Sequence, residues 1–103
     1  MSYSPRVVVL EGKHPSEVVD YALDFDDWLV GAETLSAITS VTVGSGITLG
    51  SGGQAPAISG TTVVFWLSGG TTGTTYAIEV IVTTSGGRTL VVDCQITVTD
   101  PTP

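Results

Sequence analysis

The segment from Gly73 to Thr99 constrains the fold of this chain more than any other part of the sequence. It holds two runs of alternating apolar and polar residues, separated by Ser-Gly-Gly at residues 85–87. Alternation with a period of two is typical of a β-strand with one buried face, and two such runs around a glycine turn predict a β-hairpin. A β-rich fold is therefore the first expectation.

The length of the turn decides which residues face each other across this hairpin. A two-residue turn at residues 86–87 would set Val80 opposite Asp93 and bury a charge beside the core. A three-residue loop at residues 85–87 puts all the apolar residues on one face, and Gly87 supplies the left-handed position that such a loop needs. We therefore predict the three-residue loop. Its facing inner pairs are Val82 with Leu90, Val80 with Val92, Ile78 with Cys94, and Tyr76 with Ile96.

The same register leaves an unusual outer face on the hairpin. Ile81 lies opposite Val91, and Glu79 lies opposite Asp93. Like charges directly opposite each other destabilise a sheet, so we expect either the N-terminal segment or another subunit to cover this face. The interface candidates of the sequence are Glu79, Ile81, Val91, Asp93, Asp26 and Asp27.

Short apolar or alternating runs predict further strands, separated by Gly-rich loops. Ser16 is expected to cap a single helical turn ending at Val19, and Trp28 to fold back on the core from a turn. About seven short strands with regular turn signals predict an all-β sandwich in one domain, residues 1–103, with residues 1–15 as an N-terminal arm and residues 100–103 as a tail. The further strands are Val7 to Leu10, Tyr21 to Phe25, Ile38 to Val43, Ile47 to Leu49 and Thr62 to Leu67.

Tyr76 narrows the class of sandwich. A tyrosine that opens the penultimate strand after a Gly-rich corner is typical of immunoglobulin-like sandwiches, in which its hydroxyl bonds to upstream backbone. A plain strand aromatic is the alternative. The chain has one cysteine and so lacks the Cys–Trp–Cys spacing of antibody domains. We predict an immunoglobulin-like β-sandwich.

The charge of the chain limits its partners. Three Lys and Arg residues against ten Asp and Glu residues give a formal net charge of −7, and no charged residue occurs from Thr34 to Ile78. This excess of acid disfavours nucleic acid and anionic membranes, but it suits a basic protein partner or simple solubility. We expect a neighbouring protein to cover part of the long uncharged surface.

No residue pattern supports catalysis, a cofactor or a metal. The only histidine, His14, precedes Pro15, and no GxSxG sequence is present. The acidic residues 24–27 lack the Gly and distal Glu of a calcium loop, although a looser metal site stays an alternative. Neither a secretory signal nor an apolar span is visible, and Cys94 is expected to be a buried free thiol.

Two tryptophans raise glycan binding as an alternative function. Trp28 and Trp66 lie in or beside apolar runs, so we expect both to pack in the core. If they are instead exposed, they could stack on sugars as in a glycan-binding module.

Two segments together resemble a known family. Residues 20–29 (DYALDFDDWL) and 63–90 are similar to small tailed-bacteriophage virion proteins described as fibre–tail adaptors. The family pattern is D-Y-x-[LI]-D-[FW]-x-x-W-L, then W-L-S-G-G-T-x-G-T-x-Y, then T-x-x-G-G-R. These correspond to residues 20–29, 66–76 and 83–88, whereas residues 44–60 are not matched.

The resemblance implies a non-enzymatic virion protein. Such a protein would be present in several copies as a ring around the tail or neck, where it links the tube to fibres or other peripheral proteins. It would be assembled in the cytoplasm of the host bacterium. A capsid decoration protein and a glycan-binding immunoglobulin-like module are the alternatives.

Overall fold

The computed structural model describes residues 6–10 and 12–99, which form two β-sheets and two short 3-10 helices. The helices are Asp26–Trp28 and Gly52–Gln54. No described helix has the length and apolar character needed to cross a membrane. The strands are β1 (Arg6–Val9), β2 (Val18–Asp24), β3 (Leu35–Val43), β4 (Ile47–Leu49), β5 (Ala57–Ser59), β6 (Thr62–Gly69), β7 (Thr75–Thr84) and β8 (Thr89–Thr97).

The chain passes repeatedly from one sheet to the other between successive strands. The first sheet has the order β1-β8-β7-β3, and the second has the order β2-β6-β4, with β5 also paired to β6. β1 runs parallel to β8, whereas the other pairs are antiparallel. The predicted all-β sandwich is confirmed. The strand count is eight rather than about seven, since the unpredicted β5 pairs with the start of β6.

One hydrophobic core lies between the sheets. Alternate residues of β6, β7 and β8 are buried, as a half-buried strand requires, and both sheets contribute to a single cluster. Phe65 from the second sheet and Val80 and Val92 from the first are fully buried. Since the two inner faces share this cluster, the sheets pack face to face.

The predicted hairpin register is confirmed at every pair. Val82 lies opposite Leu90, and the remaining predicted pairs follow in step along β7 and β8. Gly87 has a φ of +85°, in the left-handed region that the three-residue loop requires. The outer pairs, Ile81 with Val91 and Glu79 with Asp93, follow from the same register.

The predicted hydrogen bond of Tyr76 is also confirmed. The backbone N–H of Thr71 donates to the Tyr76 hydroxyl oxygen over 2.8 Å. Gly70 packs beneath this ring with a φ of +97°, and a Cβ at that position would lie 2.6 Å from Cγ2 of Val98. The loop from β6 to β7 is thus fastened where the chain crosses between the sheets.

The predicted helical turn from Ser16 to Val19 is wrong. The N–H of Glu17 donates to the carbonyl oxygen of His14 over 3.0 Å to close a turn, and β2 begins at Val18. The N–H of Ser16 donates to Nδ1 of His14 instead of opening a helix. The β-branched residues 18 and 19 favour the strand.

The tail at residues 100–103 and residues 1–5 and 11 of the proposed arm lie outside the described residues. The later part of the arm includes β1 and Lys13, which forms an isolated parallel bridge with Val98.

Candidate functional site

The outer surface of the first sheet carries four of the six interface candidates. The strand register aligns Val7 of β1 with Asp93, and Asp93 with Glu79 of β7. Val91 and Ile81 form the neighbouring pair. We define the outer hairpin face as Val7, Val9, Glu79, Ile81, Val91 and Asp93.

The apolar residues of the outer hairpin face are partly open to solvent. Val7 is 54 % exposed and Val9 is 76 % exposed, while Ile81 and Val91 are half-buried. All four lie on the side of the sheet opposite the core. Sequence reasoning placed Ile81 and Val91 on this face but not the two β1 valines, because the parallel pairing of β1 with β8 has no local sequence signal.

An acidic pair divides this apolar surface. Glu79 is exposed and Asp93 is half-buried, and within the described part of the chain no ion pair involves either carboxylate. Like charges directly opposite each other on a sheet repel. The face therefore combines exposed apolar area with negative charge that a basic group on another molecule would neutralise.

The described N-terminal segment does not cover this face. β1 adds to the edge of the sheet beside β8, with Val8 packed against the core and its two neighbouring valines pointing outward. The expected covering by the N-terminal segment is therefore wrong for residues 6–10, which enlarge the face instead.

Asp26 and Asp27 lie elsewhere in the molecule. Both are exposed on the 3-10 helix that follows β2, so the structure does not bring them onto the outer hairpin face. The N–H of Asp26 donates to Oδ1 of Asp24 over 2.9 Å, and that oxygen also accepts from Oγ1 of Thr61. Asp24 thus closes a turn, and no cluster of metal-ligating groups occurs among residues 6–10 and 12–99.

A second arrangement, absent from the sequence predictions, joins the hairpin tip to the β2–β3 connection. Nη2 of Arg88 lies 2.5 Å from Oε1 of Glu33 and 2.7 Å from the carbonyl oxygen of Trp28. Thr84 also donates its hydroxyl to Glu33, and the N–H of Ser85 donates to the carbonyl oxygen of Thr34 over 2.8 Å. We call Trp28, Glu33 and Arg88 the hairpin-tip clamp.

The clamp fixes the charge state of its carboxylate. Hydrogen bonds from the side chains of Arg88 and Thr84 lower the pKa of Glu33 to about 2, and the same contact raises the pKa of the guanidinium. A shallow depression of about 440 Å³ beside the clamp is lined by Val30 and Gly86, among others. The Gly-Gly-Arg sequence after β7 was the only local signal for this arrangement.

The two tryptophans occupy different environments. Trp28 packs edge-on against Phe25, with ring centroids 5.3 Å apart, and its prediction as a core side chain is confirmed. Trp66 lies between Phe65 and Leu67, which are fully buried, so alternation along β6 turns it to the outer face of the second sheet. The prediction that Trp66 packs in the core is wrong.

Two buried polar groups serve packing rather than a site. The fully buried Lys13 donates from Nζ to the carbonyl oxygens of His14, over 2.8 Å, and Gly69, over 2.6 Å. Burial lowers the pKa of Lys13, and the nearby charge of Glu17 opposes that shift. Cys94 is the predicted buried free thiol, and its pKa is raised to about 11, mainly by desolvation.

A family model matches most of the described chain. A family model described as "Podophage GP4 fiber-tail adaptor protein gp77" matches residues 13–97. This segment includes β2 to β8, the hairpin-tip clamp and the outer hairpin face apart from its two β1 valines. No curated protein matches the chain.

Proposed function

Because the chain belongs to the family of podophage GP4 fibre–tail adaptor proteins, gp77, we propose that it is a non-enzymatic structural adaptor of the virion. In this proposal several copies form a ring around the tail or neck. Each copy links that tube to a fibre or another peripheral protein, and the copies assemble in the cytoplasm of the host bacterium.

The proposal treats residues 1–103 as one immunoglobulin-like domain. The crossing of successive strands between the sheets and the bond from Thr71 to Tyr76 support this assignment. Residues 1–15 are the proposed N-terminal arm, and residues 100–103 are the proposed tail.

The observation that carries the proposal, beyond the family, is the outer hairpin face. A protein that stays free in water gains nothing from exposed valines beside two like charges that repel each other across the sheet. A partner that covers Val7, Val9, Ile81 and Val91 would remove apolar area from water. A Lys or Arg of that partner, placed against Glu79 and Asp93, would offset the repulsion between the two carboxylates.

A charge-insertion variant of the chain tests the proposal. Ile81→Lys combined with Val91→Lys places two cations in the proposed interface without altering the core. We expect this double variant to fold as a monomer and to be lost from purified particles. Val30→Lys is the matched control, because Val30 is a 68 % exposed valine in the β2–β3 connection.

The outcome is read in two steps, by circular dichroism of the purified chain and by its amount in particles from a complementation experiment. A folded double variant that enters particles as well as Val30→Lys does would overturn the assignment of this face. A capsid decoration role predicts the same loss of incorporation, but with the wild-type chain labelled on the capsid instead of the tail.

A glycan-binding module is the second candidate function, and the outward position of the half-buried Trp66 favours it. The indole lies on the outer face of the second sheet and pairs with Asp20 of β2. An aromatic ring can stack on a sugar, and a carboxylate beside it can accept hydrogen bonds from the sugar hydroxyls. Binding of wild-type chain, but not Trp66→Ala, to a glycan array would support this function.

A further inference from the structure

Three of the four sheet edges of the sandwich have features that hinder pairing with another strand. β1 has only four residues, and β3 shifts register twice along its pairing with β7. β4 and β5 have three residues each and are separated by residues 50–56. Short strands, bulges and interruptions are devices that keep a sheet edge from pairing with other chains.

The edge of β2 has none of these features. It contains seven residues without Pro or Gly, and it pairs with β6 in one uninterrupted register from Val18 to Asp24. Among the described residues, β6 is its only paired strand, so the other side of β2 is an edge. At ~3.3 Å per residue this edge is about 23 Å long. A regular edge of this length is a template for an added strand.

A groove runs beside the β2 edge. It has a volume of about 510 Å³ and lies between β2 of the second sheet and β1 of the first. It is lined by Val8, Leu10, Val19 and Tyr21. All of these except Val19 also pack against the core. Because β1 pairs with β8 rather than β2, the sandwich is open along this side. Alternate side chains of an added strand would enter this groove.

The negative charge of the groove favours a basic segment over a second copy of this chain. Glu17 and Asp20 line it, no Lys or Arg lines it among the side chains that the structure describes, and Asp24 is exposed at the end of the same strand. Two copies of β2 paired along this edge would bring the carboxylates of both chains close together, which is unfavourable. A segment with Lys or Arg residues gains attraction at the same positions.

We propose that the β2 edge docks an extended basic segment of another virion protein, which adds a strand to the second sheet. Its apolar residues enter the groove, and its alternating Lys or Arg residues face Asp20 and Asp24. This inference rests on the proposed function only for the virion origin of the segment. The edge, the groove and the charge are properties of this chain alone.

A synthetic peptide with alternating lysine and valine, KVKVTVKV, is the probe. Titration into the full ¹⁵N-labelled chain is expected to shift amide resonances of β2 and the β1 side of the groove. Asp20→Lys should weaken binding at least tenfold and Asp20→Asn severalfold. Asp27→Lys is the matched control, since Asp27 is an exposed carboxylate on the 3-10 helix outside the groove, and it should change binding less than twofold. Circular dichroism confirms that each variant is folded.

N-methylated peptides separate strand addition from charge attraction. In an extended strand, alternate N–H groups point to the same edge, so methylation of either the valine or the lysine amides should abolish binding, and methylation of the other set should not. If both N-methylated peptides still bind, the proposal is overturned. The peptide EVEVTVEV should not bind.

Other occupants of the edge give distinct results, and each would overturn the proposal. If deletion of residues 1–5 makes the chain bind the peptide tenfold more tightly than the full chain does, the chain's own N-terminus fills the edge. Concentration-dependent dimers with the same amide shifts would mean that a second copy fills it. Failure of this titration leaves the particle test untouched, because that test concerns the outer hairpin face.

Discussion

Arg88 forms an ion pair with Glu33, which lies 55 residues earlier in the chain. The same guanidinium donates to the carbonyl oxygen of Trp28, so one side chain ties the β7–β8 loop to the connection between β2 and β3. Residues 20–29 and 83–88, two of the three family-like segments, meet at this point. We infer that their sequence pattern reflects this structural contact.

Glu33 should make stability depend on pH in the acid range. Its pKa of about 2 in the folded chain lies below the ordinary value of 4.5, so the unfolded chain takes up this proton first as the pH falls. The contribution of the carboxylate is therefore complete above pH 4.5 and is lost between that value and about 2. We expect Glu33→Gln to be less stable than wild type at neutral pH, with a gap that closes across this range.

Urea unfolding of both proteins at a series of pH values measures that gap. Glu79→Gln is the control, since Glu79 makes no ion pair within the described residues. A difference between wild type and Glu33→Gln that stays constant from neutral pH to about pH 2.5 would contradict the role given to the clamp.

Two glycines in the corner between β6 and β7 should differ in how much a substitution by alanine costs. Gly70 has a φ of +97° and no space for a Cβ beside Val98, whereas Gly73 has a φ of +85° and open space. Both Gly→Ala variants incur a backbone cost of roughly 1–2 kcal/mol. Only Gly70→Ala adds a steric cost of roughly 1–3 kcal/mol from overpacking. Equal free energies of unfolding for the two variants would argue against the packing described here.

Tyr76→Phe tests the hydrogen bond that closes the same corner. The change keeps the ring in place and removes the acceptor of the Thr71 N–H. Loss of one such bond in a domain of this size should lower the Tm by about 4–8 °C. Thermal melts followed by circular dichroism give the answer, and an unchanged Tm would remove the corner assignment.

The thiol of Cys94 should be inert in the folded protein. The side chain is fully buried and its pKa is raised to about 11, so thiolate is scarce at neutral pH. Since the thiolate is the reactive form, we expect iodoacetamide to label the native chain on the order of a hundredfold more slowly than the urea-unfolded chain. Native labelling at the unfolded rate would mean that β8 opens readily.

The hairpin was predictable because its evidence is local. Alternation over the two strands leaves one register in which Asp93 avoids the core, and that register is observed. The same rule would have placed Trp66 correctly, since it neighbours the buried Phe65 in the alternation. Aromatic character alone indicates a strand but does not indicate which face of the strand a residue occupies.

The rest of the site depends on the topology. The contact of Arg88 with Glu33 and the alignment of Val7 with Asp93 each join residues that are far apart in sequence. Such contacts arise only after the sheets are assembled. β5 was missed because its three residues hold one strong strand former, Ile58, whereas β4 of the same length has Ile47 and Leu49 on either side of Thr48.

A reconstruction of the assembled particle tests the central claim, that another protein covers the outer hairpin face. The account predicts Ile81 and Val91 within about 4.5 Å of apolar atoms of a second virion protein. It also predicts a Lys or Arg of that protein against Glu79 and Asp93. A particle in which this chain is present and the outer hairpin face is open to solvent would contradict the account.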